Sequence, residues 1–273
     1  MGKVVQRGVG LRLSVCSHFR NEGRYLREWI EFHRMMGVEK FYLYNRRSTD
    51  DWRTVLAPYM EQGIVDVKEW DRPAFPPGRN SQLDAFQDCI DRLRGQESWL
   101  AFLDGDQFLW SPGGTSLADV LDALPPRWGA VVAYWMCFGS SGKPEWEDAP
   151  VIERFTWRPE ESCGWNQWFQ SIVRLNDPSL STQGHDHLFR TAGGTYNESG
   201  ALVRGTDQPQ FRSLLRVNHY WTKSRAEWEE RQPADWSGET YGRYEERWRE
   251  VQGMDVDDRE IQRFLPALKA RLQ

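Results

Sequence analysis

The sequence of 273 residues contains no apolar run long enough to cross a lipid bilayer. Residues 1–7 also lack the apolar segment of a secretory signal, so no signal peptide is predicted. We therefore expect a cytoplasmic protein that makes at most peripheral contact with the inner face of the membrane. A chain of this length fits one large α/β domain or two small ones.

Cysteine is scarce, and acidic residues outnumber basic ones by 40 to 35. The four cysteines, Cys16, Cys89, Cys137 and Cys163, are scattered and form no CxxC pair, so a structural zinc site is not predicted and free thiols are expected. The net charge of −5 disfavours a nucleic-acid partner held by electrostatics. The 15 tryptophans stand out, because aromatic faces can stack on sugars, although most of them are expected in the core.

A short aromatic-rich run over residues 99–110 delivers two carboxylates, Asp104 and Asp106. Such a run is typical of a buried strand, whose alternation would place both carboxylates on one side of its tip. Like charges so close need a cation between them, and hard oxygen ligands suit Mn²⁺ or Mg²⁺. The alternative is a pair of solvated aspartates in a turn.

Strand and helix patterns alternate through the first 110 residues. Strands are predicted over 10–17, 39–44, 64–70 and from 99, and helices over 22–36, 51–59 and 80–93. This alternation predicts an α/β fold with a mixed, mainly parallel sheet flanked by helices. Polar clusters follow the strands at 18–22, at 45–50, before residue 80 and at the two aspartates. We expect them to meet at one sheet edge and bind a ligand there, although Asn21 and Glu22 could serve only as helix caps.

The second half contains fewer repeating signals. Strands are predicted over 128–135, 171–175 and 214–219, and helices over 116–124, 224–231 and 257–272. We expect one domain over 1–232, with a nucleotide-binding half at 10–110 and an acceptor-side half at 111–232. Residues 233–273 are expected to form a helical extension packed on the core.

Several motifs, taken in order over residues 11–232, resemble glycosyltransferase family 92 and the bacterial family-2-like transferases. They are Asn21-Glu22, Glu28-Trp29-Ile30 with His33 and Gly37, Tyr42-x-Tyr44-Asn45 with Ser48 and Asp50, Pro58-Tyr59 with Gly63, Gln82 with Ala85 and Cys89, Phe102-Leu-Asp-Gly-Asp106, Trp135 with Phe138 to Gly142, Glu153-Arg-Phe155 and His219-Tyr-x-x-Lys-Ser224. The resemblance implies the Rossmann-like GT-A architecture. Gln107 and Asn45-Arg46-Arg47 depart from the family pattern, the latter in the expected nucleotide pocket.

The same resemblance implies a metal-dependent inverting glycosyltransferase that moves a sugar from a nucleotide-sugar, expected to be a UDP-sugar, to a hydroxyl of a glycan or lipid-linked glycan. It assigns Mn²⁺ or Mg²⁺ to Asp104, Asp106 and His219. Together with loop position it nominates a set of donor contacts: His18, Asn21, Glu22, Asn45, Asp50, Arg79, Asp104 and Lys223. Lys223 is expected to neutralise the departing diphosphate, or else to be a solvated helix start.

An inverting transfer needs a base for the acceptor hydroxyl. Glu153 is the first candidate and Asp186 the second; the alternative role for Glu153 is an ion pair with Arg154 or another cation. Two other functions stay open. One is a tryptophan-rich carbohydrate-binding module. The other is a phosphatase of the haloacid-dehalogenase type, which would use Asp104 as nucleophile but normally carries that aspartate on its first strand.

Overall fold

A computed structural model describes residues 12–71, 81–183, 187–231 and 238–273, with the backbone alone at 238–241. The strands are β1 Leu13–Phe19, β2 Lys40–Asn45, β3 Val65–Glu69, β4 Trp99–Phe102, β5 Gln107–Trp110, β6 Ala130–Cys137, β7 Trp157–Arg158, β8 Phe169–Arg174, β9 Ser181–Thr182, β10 Phe189–Arg190, β11 Thr195–Tyr196, β12 Arg216–His219 and β13 Val256–Asp257. The α-helices are α1 Gly23–Met35, α2 Trp52–Glu61, α3 Ser81–Leu93, α4 Leu117–Asp122, α5 Val151–Arg154, α6 Arg225–Glu230, α7 Gly238–Glu250 and α8 Leu265–Leu272.

One nine-stranded sheet organises the chain, in the order β3-β2-β1-β4-β8-β6-β12-β5, with β11 paired to β6. The pairs among β1 to β4 are parallel, whereas β8 runs antiparallel to both β4 and β6, and β5 antiparallel to β12. The α/β prediction with a mixed sheet is therefore confirmed. Because β12 runs parallel to β6, the carboxyl ends of β1, β2, β4 and β12 share one edge.

Helices cover both faces of the sheet, as an apolar parallel sheet requires. On one face, α1 buries Leu26, Trp29 and Ile30 in the larger core cluster and packs against α2 and α8. On the other, α3 places Phe86 and Ile90 in a second cluster. No helix in the described ranges is long and apolar enough to span a membrane.

The prediction that the strand beginning at residue 99 carries Asp104 and Asp106 is wrong. The strand β4 ends at Phe102, a turn follows in which Gln107 N donates to Asp104 O at 3.1 Å, and β5 leaves antiparallel to β12. Strand alternation therefore does not orient Asp104 and Asp106. A uniformly apolar run gives no sign of where the backbone reverses direction within it, which is why its periodicity missed this turn.

The C-terminal segment also differs in detail from expectation. The helix predicted over 257–272 begins as a 3₁₀ turn, Glu260–Phe264, and continues as α8, while α7 has no counterpart among the predicted elements. The charged composition of α7 hid its helical periodicity. The helix α8 contacts α1.

A neutral histidine links α1 to β5 inside the core. His33 is fully buried; its Nδ1 lies 2.8 Å from Trp29 O, and its Nε2 accepts the Leu109 N–H at 3.1 Å. Burial lowers the pKa of His33 to about 3, with partial opposition from the Trp29 carbonyl. Below pH 6.5, the ordinary pKa of histidine, the unfolded chain therefore binds a proton at His33 while the native state leaves His33 neutral.

We predict that His33→Leu lowers the free energy of unfolding at pH 7 by about 1–3 kcal/mol, because the Leu109 N–H loses its acceptor. The wild type should lose stability as pH falls through 6.5, and the leucine variant should be spared this loss. The gap between them should shrink by about 2 kcal/mol between pH 6.5 and pH 5. Urea unfolding at both pH values measures it, and a constant gap would contradict the assignment.

Candidate functional site

A cleft of about 1080 Å³ opens at the sheet edge where β1, β2, β4 and β12 end. Four segments line it: the loop after β1, the loop after β2, the turn between β4 and β5, and the chain from the end of β12 through α6. The lining includes His18, Asn21, Glu22, Arg46, Asp50, Asp104, Asp106, His219, Trp221, Glu227 and Arg231. The sheet thus brings together most of the side chains that the sequence nominated.

The loops after β1 and β2 hold each other through hydrogen bonds to the backbone. Asn21, with a left-handed φ of 55°, donates its N–H to Ser48 Oγ at 2.9 Å and accepts the Thr49 N–H on Oδ1 at 2.8 Å. Asp50 Oδ2 accepts the Gly23 N–H at 2.6 Å, at the first residue of α1. Asn21 and Asp50 therefore fix the shape of this wall as well as lining it.

Asn45 lies behind the wall. It is buried, accepts the Ser48 N–H at 3.1 Å and donates to Glu69 at 2.7 Å, and it is absent from the cleft lining. Asn45 therefore stabilises the loop after β2 and does not line the cleft. His18 does reach the cleft: its Nε2 is buried and has no hydrogen-bond partner among the residues described. Burial, helped by the charge of Arg46, lowers the pKa of His18 to about 4, so its imidazole is neutral at pH 7.

Asp106 lies at the floor of the cleft and meets two cationic or potentially cationic groups. Its Oδ2 accepts from Arg231 Nη2 at 3.0 Å, and the same nitrogen lies 3.3 Å from Glu22 Oε1. Its Oδ1 lies 3.3 Å from His219 Nε2 and accepts no hydrogen bond from any residue described. Burial raises the pKa of Asp106, but the charges of Arg231 and His219 outweigh burial and hold that pKa far below its ordinary value.

Asp104 lines the same cleft but has different partners. Its two carboxylate oxygens accept from Gln82 Nε2 at 2.7 Å and Gln107 Nε2 at 3.1 Å. Gln107 in turn accepts from Gln170 at 2.7 Å, and Gln170 Oε1 lies 3.1 Å from His187 Nδ1. The residue that departs from the family pattern, Gln107, is thus a fully buried hydrogen-bonding link from Asp104 into the second half of the chain.

Lys223 is neither a solvated helix start nor part of the cleft lining. It is 1% exposed, and its Nζ lies 3.8 Å from Glu22 Oε2 and 4.2 Å from the centre of the Tyr25 ring. Burial lowers the pKa of Lys223, while Glu22 favours its charged form. The lysine therefore adds positive charge behind Glu22.

Glu227 ties α6 to two other helices. Arg154 donates to both of its oxygens at 2.8 and 3.0 Å, and Tyr25 Oη donates at 2.7 Å. Glu227 also forms a capping box with Ser224 at the start of α6. Burial raises the pKa of Glu227, but the hydrogen bonds from Arg154, Ser224 and Tyr25 bring it down to about 2. This pair of buried ions fixes α6 beside the cleft.

The structure does not bring Glu153 to the cleft. Its Oε1 pairs with Lys269 Nζ of α8 at 2.7 Å, and it is absent from the cleft lining. This is the alternative role given for Glu153 above, an ion pair, with Lys269 as the cation. Arg154 is not available as that cation because it pairs with Glu227. The second base candidate, Asp186, and the donor contact Arg79 lie outside the described residues.

Sequence reasoning missed Arg231, Gln82, Gln170 and Trp221 as site residues. Arg231 did carry a signal: Lys223, Glu227 and Arg231 are spaced four residues apart, which places them on one side of α6 and its flanks. Gln82, on α3, is among the family motifs but was given no role there. Gln170, on β8, bonds to Gln107 from a distant part of the chain, and such a bond leaves no local pattern.

The donor set at Asp106 fits a hard divalent cation in part. Asp106 Oδ1 offers a buried carboxylate oxygen without a hydrogen-bond partner, and His219 Nε2 lies beside it. Within the described ranges, no group of three His, Cys, Asp or Glu side chains is placed to hold a metal. Two protein ligands would therefore need oxygens of a bound ligand or water to complete the shell.

A Rossmann-like sheet with paired aspartates at its carboxyl edge is the GT-A architecture. The chain belongs to glycosyltransferase family 92, whose family model matches residues 12–154. A family 92 protein of Oryza sativa subsp. japonica is 31% identical over 216 residues, which cover 76% of this chain and 33% of the relative. The galactan β-1,4-galactosyltransferase GALS2 of Arabidopsis thaliana is 30% identical over 105 residues, covering 36% of this chain and 20% of that protein.

The chain spans between a third and a half of the length of the first two curated relatives it matches. Among solved structures, TarS residues 1–349 of S. aureus match with a TM-score of 0.40 and 14% identity, over 64% of this chain and 52% of that one. A likeness of that size supports no argument about this cleft.

We predict that Arg231→Gln raises the affinity for Mn²⁺ in the absence of nucleotide by roughly tenfold, because a positive charge next to the free oxygen of Asp106 is removed. Isothermal titration calorimetry measures the affinity. Arg259→Gln, at an exposed arginine paired with Asp257, is the matched control and should leave the affinity unchanged. Equal affinities for all three proteins would mean that Arg231 does not influence this position.

Proposed function

We propose that this domain is a divalent-metal-dependent, inverting glycosyltransferase that moves a sugar from a UDP-sugar to a hydroxyl of a glycan or lipid-linked glycan. The observation that carries the proposal is the free, buried oxygen of Asp106 beside His219, in a cleft at the carboxyl edge of a family 92 sheet. The likeness to galactan galactosyltransferases supports sugar transfer as the reaction class.

Asp106 and His219 would hold the cation, Mn²⁺ or Mg²⁺. Asp104, whose carboxylate is held by hydrogen bonds from Gln82 and Gln107, would add negative charge to the same site. When bound, the cation supplies positive charge that stabilises the departing diphosphate. Arg231 reaches the same place from α6 and can add a second positive charge to the phosphates. The neutral His18 and the paired loops after β1 and β2 would form the nucleoside side of the pocket.

The names of the Arabidopsis relatives support an inverting mechanism. Those proteins are named as β-1,4-galactosyltransferases, and a β linkage built from an α-linked nucleotide-sugar requires inversion at the anomeric carbon. We therefore propose in-line attack by the acceptor hydroxyl, with a carboxylate as base. Asp186 is the base candidate we retain. The first acceptor to test is β-1,4-galactan, after the names of those relatives.

Neither alternative function is proposed. A phosphatase of the haloacid-dehalogenase type would need Asp104 as a nucleophile, whereas both Asp104 oxygens accept hydrogen bonds from glutamines. A carbohydrate-binding module would not need the ion pairs that surround Asp106, and the chain belongs to a glycosyltransferase family.

We predict that UDP and Mn²⁺ bind cooperatively. Because the described residues supply two metal ligands, Mn²⁺ alone should bind weakly, and UDP should bind at least tenfold more tightly with Mn²⁺ than with EDTA. Calorimetric titration measures both. Asp106→Asn and His219→Ala should abolish the gain from Mn²⁺, whereas Asp104→Asn should keep part of it.

Asp104→Asn is the matched control, since it removes one carboxylate charge from the same turn. UDP binding that ignores Mn²⁺ in the wild type would refute metal dependence. Absence of binding with any metal would refute the UDP-sugar donor, and other nucleotides would then be titrated.

We predict that Glu153→Gln retains transfer activity within about threefold, because Glu153 is paired with Lys269 away from the cleft. Loss of a general base typically costs about 10²-fold or more. Asp186→Asn should show that larger loss in kcat with Mn²⁺·UDP affinity unchanged. Initial rates with a UDP-sugar and a glycan acceptor provide the comparison, and a hundredfold loss in the Glu153 variant would restore Glu153 as the base.

A further inference from the structure

A second cavity of about 620 Å³ lies beside the 3₁₀ turn Gly164–Gln167 and is also lined by residues at the end of α7 and just after it. We call it the tryptophan pocket and define it by six of its lining residues: Trp165, Trp168, Pro159, Glu160, Glu250 and Asp255. None of the groups proposed above for metal or nucleotide binding lines it. Its two indoles are partly exposed, unlike most tryptophans of this chain.

Both indoles are held in place by neighbouring groups. Trp165 Nε1 donates to Glu250 at 2.5 Å, and the Trp165 ring lies 5.6 Å from the ring of Trp221. Trp168 stacks on Trp135 with ring centres 6.2 Å apart and an interplanar angle of 30°. A rigid, partly exposed aromatic wall is suited to the apolar C–H face of a pyranose, and little side-chain freedom is lost on binding.

The pocket is one aromatic residue away from the proposed metal site. Trp221 lines the catalytic cleft and its ring is 6.3 Å from that of His219. The buried Trp135 also contacts His219, with ring centres 4.3 Å apart. A chain of sugars whose end enters the cleft could therefore continue past Trp221 to Trp165 and into the tryptophan pocket.

The carboxylates at the rim of the pocket favour neutral sugars over acidic ones. Glu160, Glu250 and Asp255 are exposed carboxylates that can accept hydrogen bonds from sugar hydroxyls and that repel acidic sugars. The cations described nearby include Arg247, whose guanidinium carbon lies 5.5 Å from the Trp165 ring centre, and the buried Arg158, whose Nη1 donates to Pro159 O at 3.1 Å. The balance around the pocket is negative, which favours a neutral glycan.

We propose that the tryptophan pocket is an acceptor subsite that binds a neutral pyranose of the growing glycan, upstream of the residue that receives the sugar. The inference rests on the proposed transferase function and adds where the acceptor lies and what it is made of. It implies that affinity rises with acceptor length until this subsite is filled.

The test is calorimetric titration of neutral β-linked oligosaccharides into the protein with Mn²⁺ and UDP present. The probes are mono- to tetrasaccharides of β-1,4-galactan, β-1,4-glucan, β-1,4-xylan and β-1,4-mannan, with tetragalacturonate as the acidic comparison. At least one neutral tetrasaccharide should bind tenfold or more tightly than its monosaccharide, and tetragalacturonate should not bind.

Trp165→Ala and Trp168→Ala should each remove most of that gain, by about tenfold. Trp165→Phe, which keeps an aromatic face, should restore a large part of it. Trp146→Ala is the matched control, an exposed tryptophan that lines a different cavity. Mn²⁺·UDP affinity should be unchanged in all four variants, which a folding defect would not allow.

Length-independent binding, failure of every neutral oligosaccharide to bind, or equal gains in wild type and alanine variants would each overturn the inference while leaving Mn²⁺·UDP binding intact. Loss of Mn²⁺·UDP binding in the wild type would instead be the failure of the proposed function. The two failures are therefore read from separate titrations.

Discussion

A balanced set of charges in and beneath the cleft, buried except for the partly exposed Arg231, is the constraint on which the site depends. The set has three carboxylates and three cationic side chains: Glu22, Asp106 and Glu227, with Arg154, Lys223 and Arg231. A buried charge that loses its partner costs several kcal/mol, so no member can be placed independently of the others. The start of α1, the β4–β5 turn, α5 and α6 are therefore fixed relative to one another by charge as well as by packing.

The helix α6 connects this set of charges to the part of the cleft where the cation is proposed to bind. Its capping box fixes Glu227, and the four-residue spacing then carries Arg231 to Asp106. Satisfying one oxygen of Asp106 leaves the other facing His219 without a hydrogen bond. A polar atom left unsatisfied in a buried place is costly unless a ligand completes it. The cleft thus holds, before any ligand binds, a carboxylate oxygen that its proposed cation would complete.

Local pattern was sufficient for the part of this protein that local forces determine. The β–α alternation and the polar loops after β1 and β2 follow from periodicity and turn chemistry, and they led to His18, Asn21, Asp50, Asp104 and Asp106 in the cleft. Local pattern failed to predict the features that long-range packing determines. The apolar run over residues 99–110 concealed a chain reversal. The position of Glu153 could not be predicted from the local sequence, because its partner Lys269 lies in α8.

The donor side of the cleft and the tryptophan pocket are built from different interactions. They therefore differ in the substitutions that they tolerate. The donor side depends on backbone-directed hydrogen bonds between two loops and on the buried charges, in which most substitutions leave an unpaired group. The tryptophan pocket depends on stacked rings and rim carboxylates that take no part in that network. Substitutions at Glu160 or Asp255 alter surface charge without disturbing a buried ion. In the proposed function, acceptor preference would therefore change through residues 159–168 while donor binding stays intact.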